Sequence, residues 1–472
     1  MKHHRPARLS LLALALVLSL TLIAVRVASS QTITNISPAV GGFALSWTPA
    51  GTGTNYVVQT RSSLQEGLWL PAPASEPWPT PLAHWTDVRP PAAAGFFRVL
   101  AVPAAERGKL LAATRTSVLT RATLQALFNF NGVPVTAQYD VASYKLVYET
   151  LTPAGGRTRA SGMLMLPVGR PGGLALATYQ HGTIVRTNDV PSATTGQESF
   201  PGLAFATTGY AGILPDYLGL GDSPGLHPFQ NARSEATACL DLLRAARNFC
   251  ATNGTSLNGQ LFLCGYSQGG HATMALHREL ETYHTNEFSL TASAPMAGAY
   301  DMSGVTTDDF LSGRVPPNPY YFAYVLAAYQ SVYGLAPTLA DLLASPYNTT
   351  LPPLFAGNST GGQINAAMPA QPTLVLKPEL LAAFQSQPNH PLRAALRDND
   401  VYAWTPRSPL RMYHCSGDQD VVFANSQVAL LSFHSRGATQ VQLLEPVPGG
   451  NHNTCALPSL LSAKAWFDSL RQ

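Results

Sequence analysis

Residues 260–283 read QLFLC GYSQGG HATMALHRELETY: an apolar run of strand character, a short turn holding Gly265, Gly269 and Gly270, and an amphipathic helical pattern. No linker separates the three parts. A strand that reverses into a helix within a few residues needs small residues at the turn, because the helix must pack back on the strand it has just left. That is one half of a strand–helix–strand crossover, so the stretch commits its part of the chain to an α/β arrangement. The turn also carries the pattern Gly-x-Ser-x-Gly around Ser267. The same pattern recurs around Ser223 (Gly221 to Gly225) and Ser359 (Gly357 to Gly361), so by itself it is weak.

The surrounding sequence has the same rhythm. YKLVYETL and ASGMLMLP flank a Pro153-Ala-Gly-Gly156 turn and are expected to pair as a hairpin, after a helical segment near Leu110 to Phe128. ALATYQHG, AGILPDY, QLFLCGYS, TASAPMAG, RMYHCSG and VQLLEPV then read as strands, with helical patterns such as SEATACLDLLRAARNFC between several of them. Strands alternating with helices of this length imply a mostly parallel sheet with helices on both faces. Residues 302 to 405 interrupt the rhythm with Pro- and Tyr-rich helical sequence and are expected to form a cap over the carboxyl ends of the strands, where open α/β sheets bind ligands. Tyr320, Tyr321, Tyr324, Tyr329 and Tyr333 lie there in helical register, as pocket lining or as core packing.

Two segments precede this unit. Residues 1 to 30 hold Lys2, Arg5, Arg8 and Arg26 and no acid, with an apolar run from Leu9 to Val25 and small residues at Ala28-Ser-Ser30. This is the layout of a secretory signal peptide, which places the mature chain outside the cell or in its envelope; the 17-residue run is barely long enough for the alternative, an uncleaved anchor. Those residues hold four of the 29 basic side chains and none of the 26 acidic ones, which leaves 25 against 26. No basic stripe is present, and nucleic-acid binding is excluded as a role. Charged residues are only 12% of the chain and apolar ones 46%, a composition that builds a large core. Residues 32 to 103 show short strand-like segments between turn residues and are expected to form a small all-β sandwich.

A serine at such a turn is a nucleophile only if the next backbone N–H can face the developing oxyanion, and if an acid and a histidine follow at later strand ends. Ser223 is followed by Pro224, which has no N–H. Ser359 lacks a clean strand before it. Ser267 meets both conditions. Asp418 and Asp420 follow the strand RMYHC, with Asp418 preferred for its spacing to Val421, and His452 follows the last strand in a glycine-rich stretch. The order Ser267, Asp418, His452 is that of a strand-end triad. Gln268 would donate one oxyanion N–H, and Thr183 or Gly182, in TYQHGT, the other. His271 and His277 are not spaced as zinc ligands, and no zinc site is expected there.

On TYQHGT, LPDYLGLGDSPGLHPF, GYSQGGHA, APMAGAYDMSG, GDQDVVFANS and GNHNTC, the region from about Tyr139 to the C-terminus (within an expected catalytic unit of 108–472) resembles the α/β-hydrolase superfamily, and within it secreted lipase- and esterase-like proteins of bacteria and fungi. The resemblance implies hydrolysis of a small-molecule or lipid ester through an acyl-enzyme on Ser267, with Asp418 and His452 in the family's other two roles and without metal or organic cofactor. Trp47, Tyr56 and Phe97-Arg-Val99 resemble a fibronectin type III module, whose aromatics could contact carbohydrate or a surface. Cys415 and Cys455 lie three residues before Asp418 and three after His452, so a meeting of those side chains would bring the cysteines together as a disulfide. Cys239 and Cys250, about 16 Å apart on one expected helix, cannot pair. Two other functions stay open at this point: a serine peptidase of the prolyl-peptidase type, and a non-catalytic adhesion or carbohydrate-binding protein on a hydrolase scaffold.

Overall fold

The computed structural model describes residues 29–39, 42–61, 67–72, 78–86, 95–193 and 197–472. The expected leader lies outside the described residues as far as residue 28. Its last two residues do not: Ser29–Gln31 is a strand, paired antiparallel with Phe96–Pro103. The N-terminal β region therefore starts slightly earlier than residue 32. It comprises a sheet of Ser29–Gln31, Phe96–Pro103, Thr54–Arg61 and Leu70–Pro71 and a second of Ile33–Ala39, Gly42–Trp47 and His84–Thr86, all antiparallel. Alternate residues point inward, so Leu45, Trp47, Tyr56, Val58, Trp85 and Val99 form one buried core, with Trp47 edge-on to Tyr56 at 5.3 Å. These aromatics serve packing. Against the following unit, the Arg233 guanidinium lies over Trp78 at 4.6 Å.

The rest of the chain is organised by a nine-stranded sheet. Its strands in chain order are β1 (Leu110–Leu119), β2 (Val141–Leu151), β3 (Arg157–Pro167), β4 (Leu174–Gln180), β5 (Tyr210–Pro215), β6 (Leu257–Tyr266), β7 (Ser289–Met296), β8 (Leu410–Tyr413) and β9 (Val441–Leu444). Across the sheet they run β9-β8-β7-β6-β4-β5-β3-β2-β1. The expected hairpin is β2–β3. Strands β4 to β9 are parallel, and β1 to β3 form an antiparallel flank. The central strands are apolar throughout because both faces are covered: Phe262, Cys264 and Tyr266 of β6 enter one core, and Leu261 and Leu263 the other.

The sequence reading fails at Leu110–Leu119, which is an edge strand and not part of a helix; the helix is Arg121–Phe130. The stretch Thr114-Arg-Thr-Ser-Val118 is rich in β-branched residues, and pairing with β2 satisfies its backbone. Thr120 then caps the helix through its side chain, which accepts from the N–H of Thr123.

Helices α1 (Ala232–Thr252) and α2 (Gln268–Tyr283) pack beside the central strands. Between β7 and β8 the chain leaves the sheet for a series of short helices built around α3 (Tyr320–Tyr333), whose buried face joins Phe355, Phe384 and Leu396 in a separate core. Val185 and Phe229 of the main body enter that same core, so the inserted helices sit on the loops at the strands' carboxyl ends. After β8 come α4 (Ala424–Ser435) and, following β9, α5 (His452–Leu470).

Candidate active site

The chain order reverses around β4: β5 lies on one side of it and β6 on the other. The loops leaving β4 and β6 therefore diverge and open a crevice between them. Ser267 stands at the end of β6, at φ 62° and ψ −121°, a conformation that a residue with a Cβ adopts at a cost of about 1–3 kcal/mol. Its backbone is held at both ends: its N–H donates to Met296 C=O at 3.0 Å, and its C=O accepts from the N–H of Gly270 at 2.8 Å. The helix can begin so abruptly because a Cβ on Gly269 would overlap the Gln180 carbonyl, and one on Gly270 would overlap that of Met296.

His452 is the first residue of α5 and not part of a loop, because the Asn451 side chain caps the helix by accepting from Thr454 N–H at 3.0 Å. Its ring lies 4.9 Å from that of Tyr266, the neighbour of Ser267, whose hydroxyl donates to His452 C=O at 2.7 Å. The Nδ1 atom of His452 is 2.5 Å from Oδ2 of Asp418. Asp420, the second choice, lines the cavity beside Ser267 and accepts instead from Asn318 Nδ2 at 2.8 Å. A disulfide joins Cys415, at the end of β8, to Cys455, one turn into α5, with Cα atoms 6.0 Å apart. It ties the segment carrying Asp418 to the helix carrying His452. Cys239, Cys250 and Cys264 are free and buried.

Asp418 has a partner the sequence did not announce. The buried ring of His414 places Nε2 2.9 Å from Val421 C=O and 3.2 Å from Asp418 Oδ2, while Nδ1 lies 2.8 Å from Ser426 Oγ. A carbonyl can only accept, so Nε2 carries the hydrogen and the carboxylate receives it as well. Oδ1 of Asp418 accepts from the N–H groups of Asp420 and Val421, at 2.9 Å each. Burial alone would raise this carboxyl; the hydrogen bonds from His414 and His452 outweigh it and hold Asp418 well below the usual carboxylate range. The only sequence signal was a histidine four residues before an aspartate. His414→Ala is expected to lower kcat about tenfold with little change in KM. It should also move the acid limb of the rate profile to higher pH, since Asp418 with one donor fewer is the stronger base and the Asp418–His452 pair then holds its proton more tightly. An unchanged pH profile would reduce His414 to packing.

The loop after β4 meets the turn directly: a Cβ on Gly182 would lie 3.9 Å from that of Ser267. Of the two donors left open, Thr183 lines the cavity with Ser267. Burial raises the affinity of the Glu198 carboxyl for protons. Gln268 is the first residue of α2, where a backbone N–H has no partner within the helix. The His181 ring is buried against Tyr217 at 4.3 Å, and burial holds it at about 4, so it is neutral and shapes the loop.

Behind the turn lies a buried polar cluster. Gln268 Nε2 donates to Glu235 Oε1 at 2.9 Å and to His227 Nε2 at 2.7 Å. His271 Nδ1 is 2.6 Å from Glu235 Oε2, and its Nε2 is 2.9 Å from Asn399 C=O. Both His271 nitrogens thus face acceptors, and the His271–Glu235 pair must hold a proton between them. Of the five tyrosines on the inserted helix, Tyr321 lines the cavity around Ser267, while Tyr320, Tyr324 and Tyr329 are buried in the core around them and Tyr333 packs against it.

A mixed sheet of this order, with a strained serine turn after a central strand and an Asp–His pair beyond the last two strands, defines an α/β-hydrolase. The family model described as secretory lipase matches residues 186–306. Among solved structures, a ligand-bound form of the rice cell wall degrading esterase LipA from Xanthomonas oryzae is similar: 29% identical, covering 77% of this chain and 100% of that one, with a TM-score of 0.72. A putative hydrolase from Legionella pneumophila gives 27% identity, 77% and 98% coverage and a TM-score of 0.72. Candida antarctica lipase A in its closed state, at 18% identity, 78% and 83% coverage and a TM-score of 0.55, shares the fold. No curated protein sequence matches. The chain has the α/β-hydrolase fold, and its likeness to the secretory lipase model and to these esterases supports a carboxylic ester hydrolase. The non-catalytic reading is set aside.

Proposed function

We propose that the chain hydrolyses its ester through Ser267, His452 and Asp418. The observation that carries this reading is the 2.5 Å contact between His452 Nδ1 and Asp418, next to the strand end that holds Ser267 in a strained turn. With Nδ1 committed to Asp418, Nε2 of His452 is the nitrogen available to take the proton of Ser267 Oγ. The oxygen attacks the ester carbonyl; the N–H groups of Gln268 and Thr183 receive the negative charge; His452 returns the proton to the leaving alcohol. Water then repeats the cycle on the acyl-enzyme, and the acid is released with the serine restored. None of these steps requires a metal or an organic cofactor.

The same proposal includes export, with residues 1 to 30 as leader, 32 to 103 as a fibronectin type III-like module and 108 to 472 as the catalytic unit. The basic, then apolar, N-terminus and the match to the secretory lipase family support it. No helix among the described residues is long and apolar enough to cross a membrane.

A fluorophosphonate probe tests the reading. One adduct per chain is expected, on the peptide containing Ser267, with parallel loss of activity on phenyl acetate. An adduct on Ser223 or Ser359, or full activity after complete labelling elsewhere, would overturn it. An amide paired with each ester checks the peptidase alternative, for which amide turnover should match ester turnover.

A further inference from the structure

Met302, Phe310, Tyr321 and Val325 of the inserted segment line the cavity that holds Ser267, and buried phenols fasten this covering to the body. Tyr324 donates to Ile184 C=O at 3.0 Å, on the loop after β4, and Tyr329 donates to Gln230 C=O at 2.9 Å, just before α1. Phe229 lies flat on Tyr324, with ring centroids 4.5 Å apart and planes 8° from parallel. Two further bonds reach the body elsewhere: Thr187 N–H donates to Gly357 C=O at 2.8 Å, and Asn318 Nδ2 donates to Asp420, beyond β8, at 2.8 Å. One apolar core runs around these bonds. In it Val185 and Phe229 of the body are buried with Phe322, Val325 and Leu351 of the insertion.

The two ends of the insertion are also joined to each other. Val401 N–H donates to Tyr300 C=O at 2.9 Å, and Ser303 donates to Asp400 through its N–H at 2.9 Å and its hydroxyl at 2.6 Å. The buried Asn399 side chain accepts from the Ala232 N–H at the start of α1 at 2.9 Å, and Asp301 N–H donates to Asn425 of α4 at 3.0 Å. A hinged cover needs the reverse, a neck free to turn and few buried contacts with what it covers, because segments that open come from the least stable parts of a fold. Swinging this insertion away would break bonds to three separate loops and bring its core into water at the same time. Access to Ser267 does not require that. Its cavity is already open to solvent, with the half-buried Asp309 and Asp420 among its walls.

Resting on the ester-hydrolase reading, we infer that the insertion is a fixed roof and that the substrates are esters dispersed as single molecules in water, hydrolysed without activation by a lipid surface. A lipid–water interface stimulates a covered hydrolase by favouring an open state over a closed one, and a surface shifts nothing where both media hold the same state. Substrate enters through the standing cavity. Soluble esters are therefore used at full rate below their solubility limit, and droplets add no faster form of the enzyme.

Tripropionin tests this, with acid release followed from below its solubility limit to above it. A smooth rise with no step at the limit is expected. A jump of about threefold or more as droplets form overturns the inference. Diethyl p-nitrophenyl phosphate, which phosphorylates an active serine with release of p-nitrophenol, answers the same question without turnover. Its rate of reaction with Ser267 is expected to agree within about twofold between plain buffer and phosphatidylcholine vesicles, and a reaction that needs the vesicles overturns the fixed roof. A protein that is inert to phenyl acetate and reacts with the phosphate in neither medium overturns instead the ester-hydrolase reading. One that is active on phenyl acetate but depends on droplets or vesicles overturns only the roof.

Discussion

Ser267→Ala is expected to lower kcat on phenyl acetate by roughly a million-fold, to near the rate supported by binding and oxyanion donors alone. The size follows from the chemistry: without Oγ there is no acyl-enzyme, and His452 and Asp418 have nothing to activate. The fold should persist. Alanine has the same Cβ as serine and meets the same positive φ, and the turn is held by backbone bonds to Met296 and Gly270 that the substitution leaves alone. Steady-state rates with a melting curve give the answer, and folded protein that keeps a tenth of wild-type turnover would dismiss Ser267 as the nucleophile. Asp418→Asn is expected to be milder by about an order of magnitude or more, because Ser267 and the oxyanion donors remain.

The second large effect is on stability. Glu235→Leu removes both carboxylate oxygens from the cluster behind the turn, stranding His271 Nδ1 and one hydrogen of Gln268 Nε2 away from water. Breaking a buried, hydrogen-bonded pair by deleting one partner typically costs about 3–5 kcal/mol, and that loss is expected here in denaturant unfolding. Activity should fall as well, because the Gln268 side chain anchors the residue whose N–H is the proposed oxyanion donor. Glu235→Leu combined with His271→Leu should recover part of the stability, since two packed apolar groups leave fewer unpaired polar atoms. If Glu235→Leu costs less than about 1 kcal/mol, the cluster does not hold the turn as described. The partners lie on different helices, α1 and α2, so the pair also fixes their spacing directly beneath Ser267.

Much of this site was legible because its signals are local. The apolar run before Gly265, the closely spaced glycines after it and the amphipathic pattern of α2 sit side by side in sequence, and together they require a sharp strand-to-helix turn. Asp418 and His452 were legible because each comes within a few residues of a strand's end, in the order such sheets impose. Pro224 removed Ser223 from contention by its missing N–H. The offset of three residues at Cys415 and Cys455 anticipated the disulfide, given only that acid and base meet. What failed was an edge strand: Leu110–Leu119 has residues that suit either state, and pairing with Val141–Leu151 chose between them.

Other features could not be read from any window of sequence. Glu235 looks like one of several polar residues of an amphipathic helix, and His414 like an incidental histidine, until packing brings them to Gln268, His271 and Asp418. The preference for Thr183 over Gly182 as the proposed donor rests on the cavity that Thr183 shares with Ser267. The sequence by itself determined the alternation of strands and helices, the serine turn and the chain order of acid and base, since periodicity, glycine placement and backbone donors act over a few residues. The tertiary structure alone decided which buried polar groups find partners, because burial and hydrogen bonding depend on elements that meet only when the sheet, its helices and the inserted helices are packed together.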